Sequence, residues 1–217
     1  MSPDALFQTV VQVVVLLFAV SVHESAHGWM ALRCGDTTAR DLGRITLNPI
    51  RHLDPLGSIL LPAFLAFTGA PIFGWAKPVP ISLRDVRNPR KANLLISAAG
   101  PVSNMIIAVV FGVALFAARP LLEGGAPEGI AVPLLLVGVY SVAVNVSLAL
   151  FNLIPIPPLD GFGVLESLVP PSFLPAMMWL RRYGFIILMA VIFTGGLRFL
   201  LGPAQRHLMR WLLGGIL

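Results

Sequence analysis

Two histidines four residues apart, with a glutamate beside the first, close the apolar run "VVVLLFAVSVHESAHGWMALRCG" at residues 13–35. On a helix this spacing returns both imidazoles of His23 and His27 to one face, where they can share one cation, and it places Glu24 next to that face. Neutral imidazole nitrogens are zinc ligands, and a carboxylate beside the ion can take a proton from water, the chemistry of a hydrolase. With four histidines in 217 residues, the pattern arises by chance roughly once in a thousand such chains. The bland alternative is a set of polar groups that bond a neighbouring helix. Ionisable side chains inside an apolar span are costly, however, and mark a functional path or site.

Catalytic zinc takes three protein ligands and leaves a position open. Two residues compete for the third place. His52 lies 25 residues after His27, in the basic stretch "NPIRHLDP", which reads as surface. Asp160 lies in "FNLIPIPPLDGFG", where Pro155, Pro157 and Pro158 must unwind an apolar helix just before an acidic residue. Unwound backbone at membrane depth persists only against protein or water, and an aspartate placed there calls for a cation. Asp160 is the better choice.

The elements that hold these residues belong to a membrane protein. The chain is 57% hydrophobic and 12% charged, against about 25% charged in an average soluble domain, and its mean hydropathy is +0.86. Residues 5–32, 92–118, 131–153 and 183–201 read as spans, each near the roughly 20 residues needed to cross a bilayer. The first is not a cleaved signal, because "MSPDALFQ" has no basic start and no small-residue cleavage site follows. The lone Cys34 cannot form an internal disulfide and reads as a small hydrophobe at a helix end.

The net charge of +5 does not point to nucleic acid, since the basic residues are neither interleaved with exposed aromatics nor set on a soluble domain. Nine of the fifteen Lys and Arg fall between Arg33 and Lys91, which the positive-inside rule assigns to the cytoplasm. Residues 56–74, apolar but broken by Pro62, Gly69 and Pro71 and flanked by basic clusters, read as a re-entrant or short helical hairpin, with a full crossing as the alternative. "TTARDLGRITLN" and "KPVPISL" have the Thr, Val and Ile content of short strands, so a small cytoplasmic-face β-layer is expected. The fold class is then an α-helical polytopic membrane protein of about five or six transmembrane or re-entrant helices. It forms one membrane-embedded domain over 1–217, with its core at 5–165, a further span at 183–201 and an interfacial amphipathic tail at 203–217.

Taken together, "HESAH", "GRITLNPIRHLDPLGSILLP", "FGWAKPVP", "AAGPVSN" and "NLIPIPPLDG" make the chain similar to the site-2 protease family of intramembrane zinc metalloproteases, in its short prokaryotic form without PDZ or nucleotide-sensing domains. The resemblance covers most of residues 20–165. It implies one zinc ion held by His23, His27 and Asp160, Glu24 as catalytic base, and cleavage within or next to transmembrane helices of membrane-protein substrates. Phe162 departs from the small residue that many relatives have after the Asp-Gly pair. Asn152 and Asn104 are candidates for contact with substrate or a developing oxyanion, the alternative being interhelical hydrogen bonding.

These readings place the protein in the cell membrane as a multi-pass chain, with the lipid bilayer and transmembrane substrates as partners and the site opening toward the cytoplasm. Water must reach the ion, and a substrate helix must unwind before its backbone is exposed. An edge strand from 37–47 or 78–84 is the expected holder for such an unwound segment. The rival is an ion or proton transporter in which His23, Glu24, His27 and Asp160 form a relay.

Overall fold

The computed structural model describes residues 2–69, 74–124 and 127–214. Among these, eight α-helices follow in order: α1 (Pro3–Arg33), α2 (Thr38–Asp41), α3 (Leu61–Thr68), α4 (Pro89–Glu123), α5 (Glu128–Asn152), α6 (Asp160–Leu168), α7 (Leu174–Phe193) and α8 (Gly196–Leu213). Four of them, α1, α4, α5 and α7, are long and apolar enough to cross a membrane. Helix α1 starts on a Ser2 cap, whose Oγ accepts from the Ala5 amide at 3.2 Å, with Pro3 at the first helical position where no donor is needed.

Helix α4 is the centre of the bundle. It runs antiparallel to α1, pairing Ala31 with Ala92 and Ile96 in one buried cluster, and antiparallel to α5, where Gly138 leaves room for Leu115. A Cβ at Gly138 would enter the Leu115 side chain, so glycine sets how closely these two helices approach. Cys34 packs at the edge of the α1–α4 cluster, as a small hydrophobe at a helix end should.

The expected β-layer is absent: among the described residues there is no strand. Residues 38–41 fold instead into the single turn of α2, which ends at Gly43 (φ +62°). Residues 76–82 form no regular element and have no ladder partner. Pro78 and Pro80 lack amide protons, and the amides of Val79 and Ser82 donate to the carboxylates of Glu24 (3.0 Å) and Asp36 (2.6 Å). Side chains have taken the donors that a sheet would need. The opposite edge is held by Arg44 Nη2, which donates to the Lys77 carbonyl at 2.8 Å.

Two further expectations change. The stretch 183–201 is not one span, because α7 stops at Phe193 and Gly195, at φ +75°, turns the chain into α8. His52 is not at the surface: it is 1% exposed, and its Nε2–H donates to the Thr46 carbonyl at 2.8 Å. Of the hairpin expected over 56–74, residues 70–73 lie outside the described residues. Before them a π-helical turn at Pro55–Leu60 leads into α3. The Trp75 amide donates to the Gly57 carbonyl at 3.2 Å, and Ser58 Oγ donates to the Trp75 carbonyl at 2.8 Å.

Asp36 ties the end of α1 to the 76–82 segment, accepting from the Thr38 amide (2.9 Å) as well as from Ser82. Burial pushes its carboxyl upward, but the hydrogen bonds from Thr38 and Ser82 outweigh this and hold it below the usual carboxylate range. A depressed carboxyl adds stability above its unfolded value and loses it as pH falls through the folded one. Asp36→Asn should therefore destabilise the purified protein at pH 7 by about 1–2 kcal/mol. Thermal unfolding of the two proteins in detergent should show this gap narrowing steadily as the pH is lowered below about 4.

Candidate metal centre

Each imidazole of the His-x-x-x-His pair is fixed by what its Nδ1 meets. His27 Nδ1 lies 2.7 Å from the carbonyl of Ile96 in α4, which can only accept, so Nδ1 carries the proton. His23 Nδ1 lies 2.6 Å from Asn104 Oδ1. Asn104 Nδ2 donates to Asn145 Oδ1 (2.8 Å) and to the Ala19 carbonyl (3.3 Å), and Asn145 Nδ2 donates to the Ser141 carbonyl at 2.8 Å. This chain ends on a backbone carbonyl, which sets the direction of every link and leaves Asn104 Oδ1 as an acceptor. His23 also carries its proton on Nδ1.

In the neutral form of each ring Nε2 is therefore the bare nitrogen, and the two Nε2 atoms lie 3.1 Å apart. Asp160 Oδ2 completes the group at 3.1 Å from His23 Nε2 and 3.3 Å from His27 Nε2. It is buried and has no hydrogen-bond donor. Three lone-pair atoms gathered in a buried space repel one another unless a proton or a metal cation sits among them. Two imidazoles and a carboxylate, with second-site hydrogen bonds fixing the imidazole tautomers, form a set that could hold a metal ion.

Local sequence explains how such distant residues meet. Gly100 of α4 faces the pair, and a Cβ there would run into His27 Nε2 and lie 2.6 Å from His23 Nε2. The absent side chain leaves that space to the histidines. Asp160 opens α6 after the Pro-rich stretch, and Gly161 lies so close to the Leu153 carbonyl that a Cβ would not fit. The far end of α6 is fastened to the start of α4: Arg90 Nε and Nη2 donate to the carbonyls of Ser167 (2.7 Å) and Val169 (2.6 Å), and Asn93 Nδ2 donates to that of Gly163 at 3.1 Å.

Comparison with known proteins bears on the chain as a whole. The chain is 38% identical over 192 residues to "Putative zinc metalloprotease YwhC" of Bacillus subtilis, a match covering 84% of this chain and 80% of that one. It is 28% identical over 184 residues to "Putative zinc metalloprotease Rip2" of Mycolicibacterium smegmatis, covering 83% of this chain and 66% of that one. Rip2 of Mycobacterium tuberculosis is 30% identical over 177 residues, 81% of this chain and 63% of that one. The chain belongs to the site-2 protease family. No protein-family model matches it, and no solved structure does.

Within this site-2 protease relative, the other residues singled out from sequence separate clearly. Glu24 is half-buried and one of its oxygens accepts from the Val79 amide. Asn104 is fully buried and spends both ends of its amide on His23, Ala19 and Asn145. Asn152 turns back on its own helix, donating to the Leu148 carbonyl at 3.0 Å, and does not join the group. His52 stands apart as well, bound to Thr46. Phe162 is 7% exposed, with the Arg181 guanidinium 5.7 Å from its ring centre. Asn145 escaped the sequence reading; a lone amide inside the apolar run "VYSVAVNVSLAL" was the signal for it.

A polar cavity of about 340 Å³ borders Asp160 between α4, α6 and α7, with Asn93, Ser97, Glu166 and Arg181 among its lining residues. Of the three donor residues, Asp160 alone lines it. Since Asn104 fixes the His23 ring, Asn104→Ala should weaken zinc affinity by about 10–100-fold, read by competition with a chromophoric chelator. Asn152→Ala should leave that affinity unchanged.

Proposed function

We propose that the chain is an intramembrane zinc endopeptidase that hydrolyses peptide bonds within or next to transmembrane helices. The observation that carries this reading is the gathering of His23 Nε2, His27 Nε2 and Asp160 Oδ2 at 3.1–3.3 Å inside a bundle of apolar spans. Names of the relatives support zinc as the metal and proteolysis as the reaction. Four helices long enough to cross a membrane support the setting.

His23, His27 and Asp160 would hold one zinc ion, and Asn104 and the Ile96 carbonyl fix the two imidazole rings through their Nδ1 atoms. Zinc, when bound, supplies the Lewis acidity that makes water a nucleophile near neutral pH. Glu24 follows His23 on α1 and presents its carboxylate beside the pair. It takes the proton of the attacking water on a carboxylate oxygen and passes it to the leaving amine nitrogen. The Val79 amide holds Glu24 Oε2 and so fixes the orientation of the base.

His27 and His23 lie six and ten residues before the end of α1 at Arg33, roughly 9 and 15 Å along the helix. The scissile bond must be brought to that depth unwound, because a substrate helix keeps its amides and carbonyls paired internally. The clustering of basic residues between Arg33 and Lys91 supports a site facing the cytoplasm. In that orientation the polar cavity beside Asp160 supplies water from the cytoplasmic side.

Glu24→Gln should lower cleavage of a reconstituted transmembrane substrate by about 10²–10⁴-fold while zinc content stays near one per chain. His23→Ala should lose the zinc itself. Equal cleavage in Glu24→Gln would remove Glu24 as the base, and no cleavage by the unaltered, zinc-loaded protein would return the site to the transporter reading. In the substrate, replacing helix-breaking residues near the cut by leucine should slow hydrolysis, measured as product per minute on a gel.

A further inference from the structure

Helix α8 carries a face that the proposed hydrolysis does not use. Its inner side is ordinary packing. Leu213 is 2% exposed in a cluster with Ala108, Leu115, Val142 and Val146. Leu212 lies against Gly112, and Gln205 Nε2 donates to Ser147 Oγ at 2.9 Å. All these partners belong to the apolar lengths of α4 and α5. Gly112 is eleven residues from the end of α4 at Glu123, roughly 16 Å along the helix, so α8 runs beside its neighbours at the depth of the hydrocarbon.

The outer side is another matter. Phe199, Pro203, Arg206 and Arg210 fall on one exposed stripe, at the i, i+4, i+7 and i+11 spacing of a single helix face. Phe199 is 89% exposed. Among the described residues, neither guanidinium has a hydrogen bond or an ion pair. Arginines at bilayer depth are found paired or facing water, not left to lipid. This stripe is too charged for acyl chains and too apolar for water.

We propose that the Phe199–Arg210 stripe docks a transmembrane helix of another protein that presents a carboxylate at the depth of Arg206 and Arg210. Two guanidiniums one turn apart match carboxylate geometry, each capable of a forked pair of hydrogen bonds. A second copy of the chain lacks the complement. Within the four candidate spans its acidic residues are Asp4 and Glu128 at helix starts and Glu24 at the site. Lipid phosphates lie at the bilayer surface and not beside Gly112. Proteolysis plays no part in the inference, which rests on the placement of α8 and on charge.

The test uses the whole protein, donor-labelled and reconstituted in phosphatidylcholine vesicles at pH 8, with acceptor-labelled Leu/Ala-rich transmembrane peptides. Three peptides carry Glu, Gln or Lys at the central position. Energy transfer should show the Glu peptide binding roughly tenfold more tightly than the Gln peptide, and the Lys peptide more weakly than either. The R206L/R210L protein, still holding its zinc, should bind Glu and Gln peptides alike. Equal binding of the three peptides by the unaltered protein overturns the proposal, whatever the double variant does. So does a Glu preference that survives in R206L/R210L, a preference abolished by adding phosphatidylglycerol, or self-association that disappears in R206L/R210L.

Discussion

Everything at the centre of this protein follows from where two protons sit. Ile96 offers His27 only a carbonyl, and the amide chain from Ser141 through Asn145 and Asn104 offers His23 only an acceptor. Both Nδ1 atoms are thus protonated, and both Nε2 lone pairs are driven into the same small space as an unsatisfied oxygen of Asp160. In a low-dielectric interior such a gathering is unfavourable without positive charge. The bundle is organised to make it inevitable. Gly100 clears the space, the prolines after α5 deliver the aspartate, and Arg90 and Asn93 hold α6 in place.

Much of this was legible in the sequence. The four-residue spacing of His23 and His27 is a property of any helix, and an aspartate that follows three prolines at the end of an apolar run points to a cation held at membrane depth. Spans such as α1, α4 and α5 announce themselves by composition. The two histidines and the aspartate that the fold brings together, as a group able to hold a metal ion, could therefore be picked out from residue types and spacing.

What the sequence concealed are outcomes of competition between tertiary partners. The Thr, Val and Ile content of residues 78–84 suggests a strand. Glu24 and Asp36 claim the two key amides, however, and prolines remove two more donors, so the segment forms no sheet. His52 sits among basic residues and looks exposed, but the chain folds over it, with the Lys77 amide donating to its carbonyl at 2.8 Å. Asn104 and Asn152 are alike on paper. Their roles diverge because one faces α1 and the other bonds the turn beneath it. The break at Gly195 is similarly invisible to hydropathy, since glycine is tolerated within spans and only its positive φ reveals the turn.

Helix α4 touches the first histidine through Asn104, the second through Ile96, and the aspartate-bearing α6 through Arg90, Asn93 and the close seat of Gly163 on Ser97. All three donor residues are thereby mounted on one chassis. Helix α7 meets that assembly through the Arg181–Glu166 pair and the seat of Gly184 on Pro157. The polar cavity beside Asp160 therefore has walls of two kinds, α7 on one side and the helix that mounts the donors on the other, so its outline depends on a helix that supplies none of the three donor atoms.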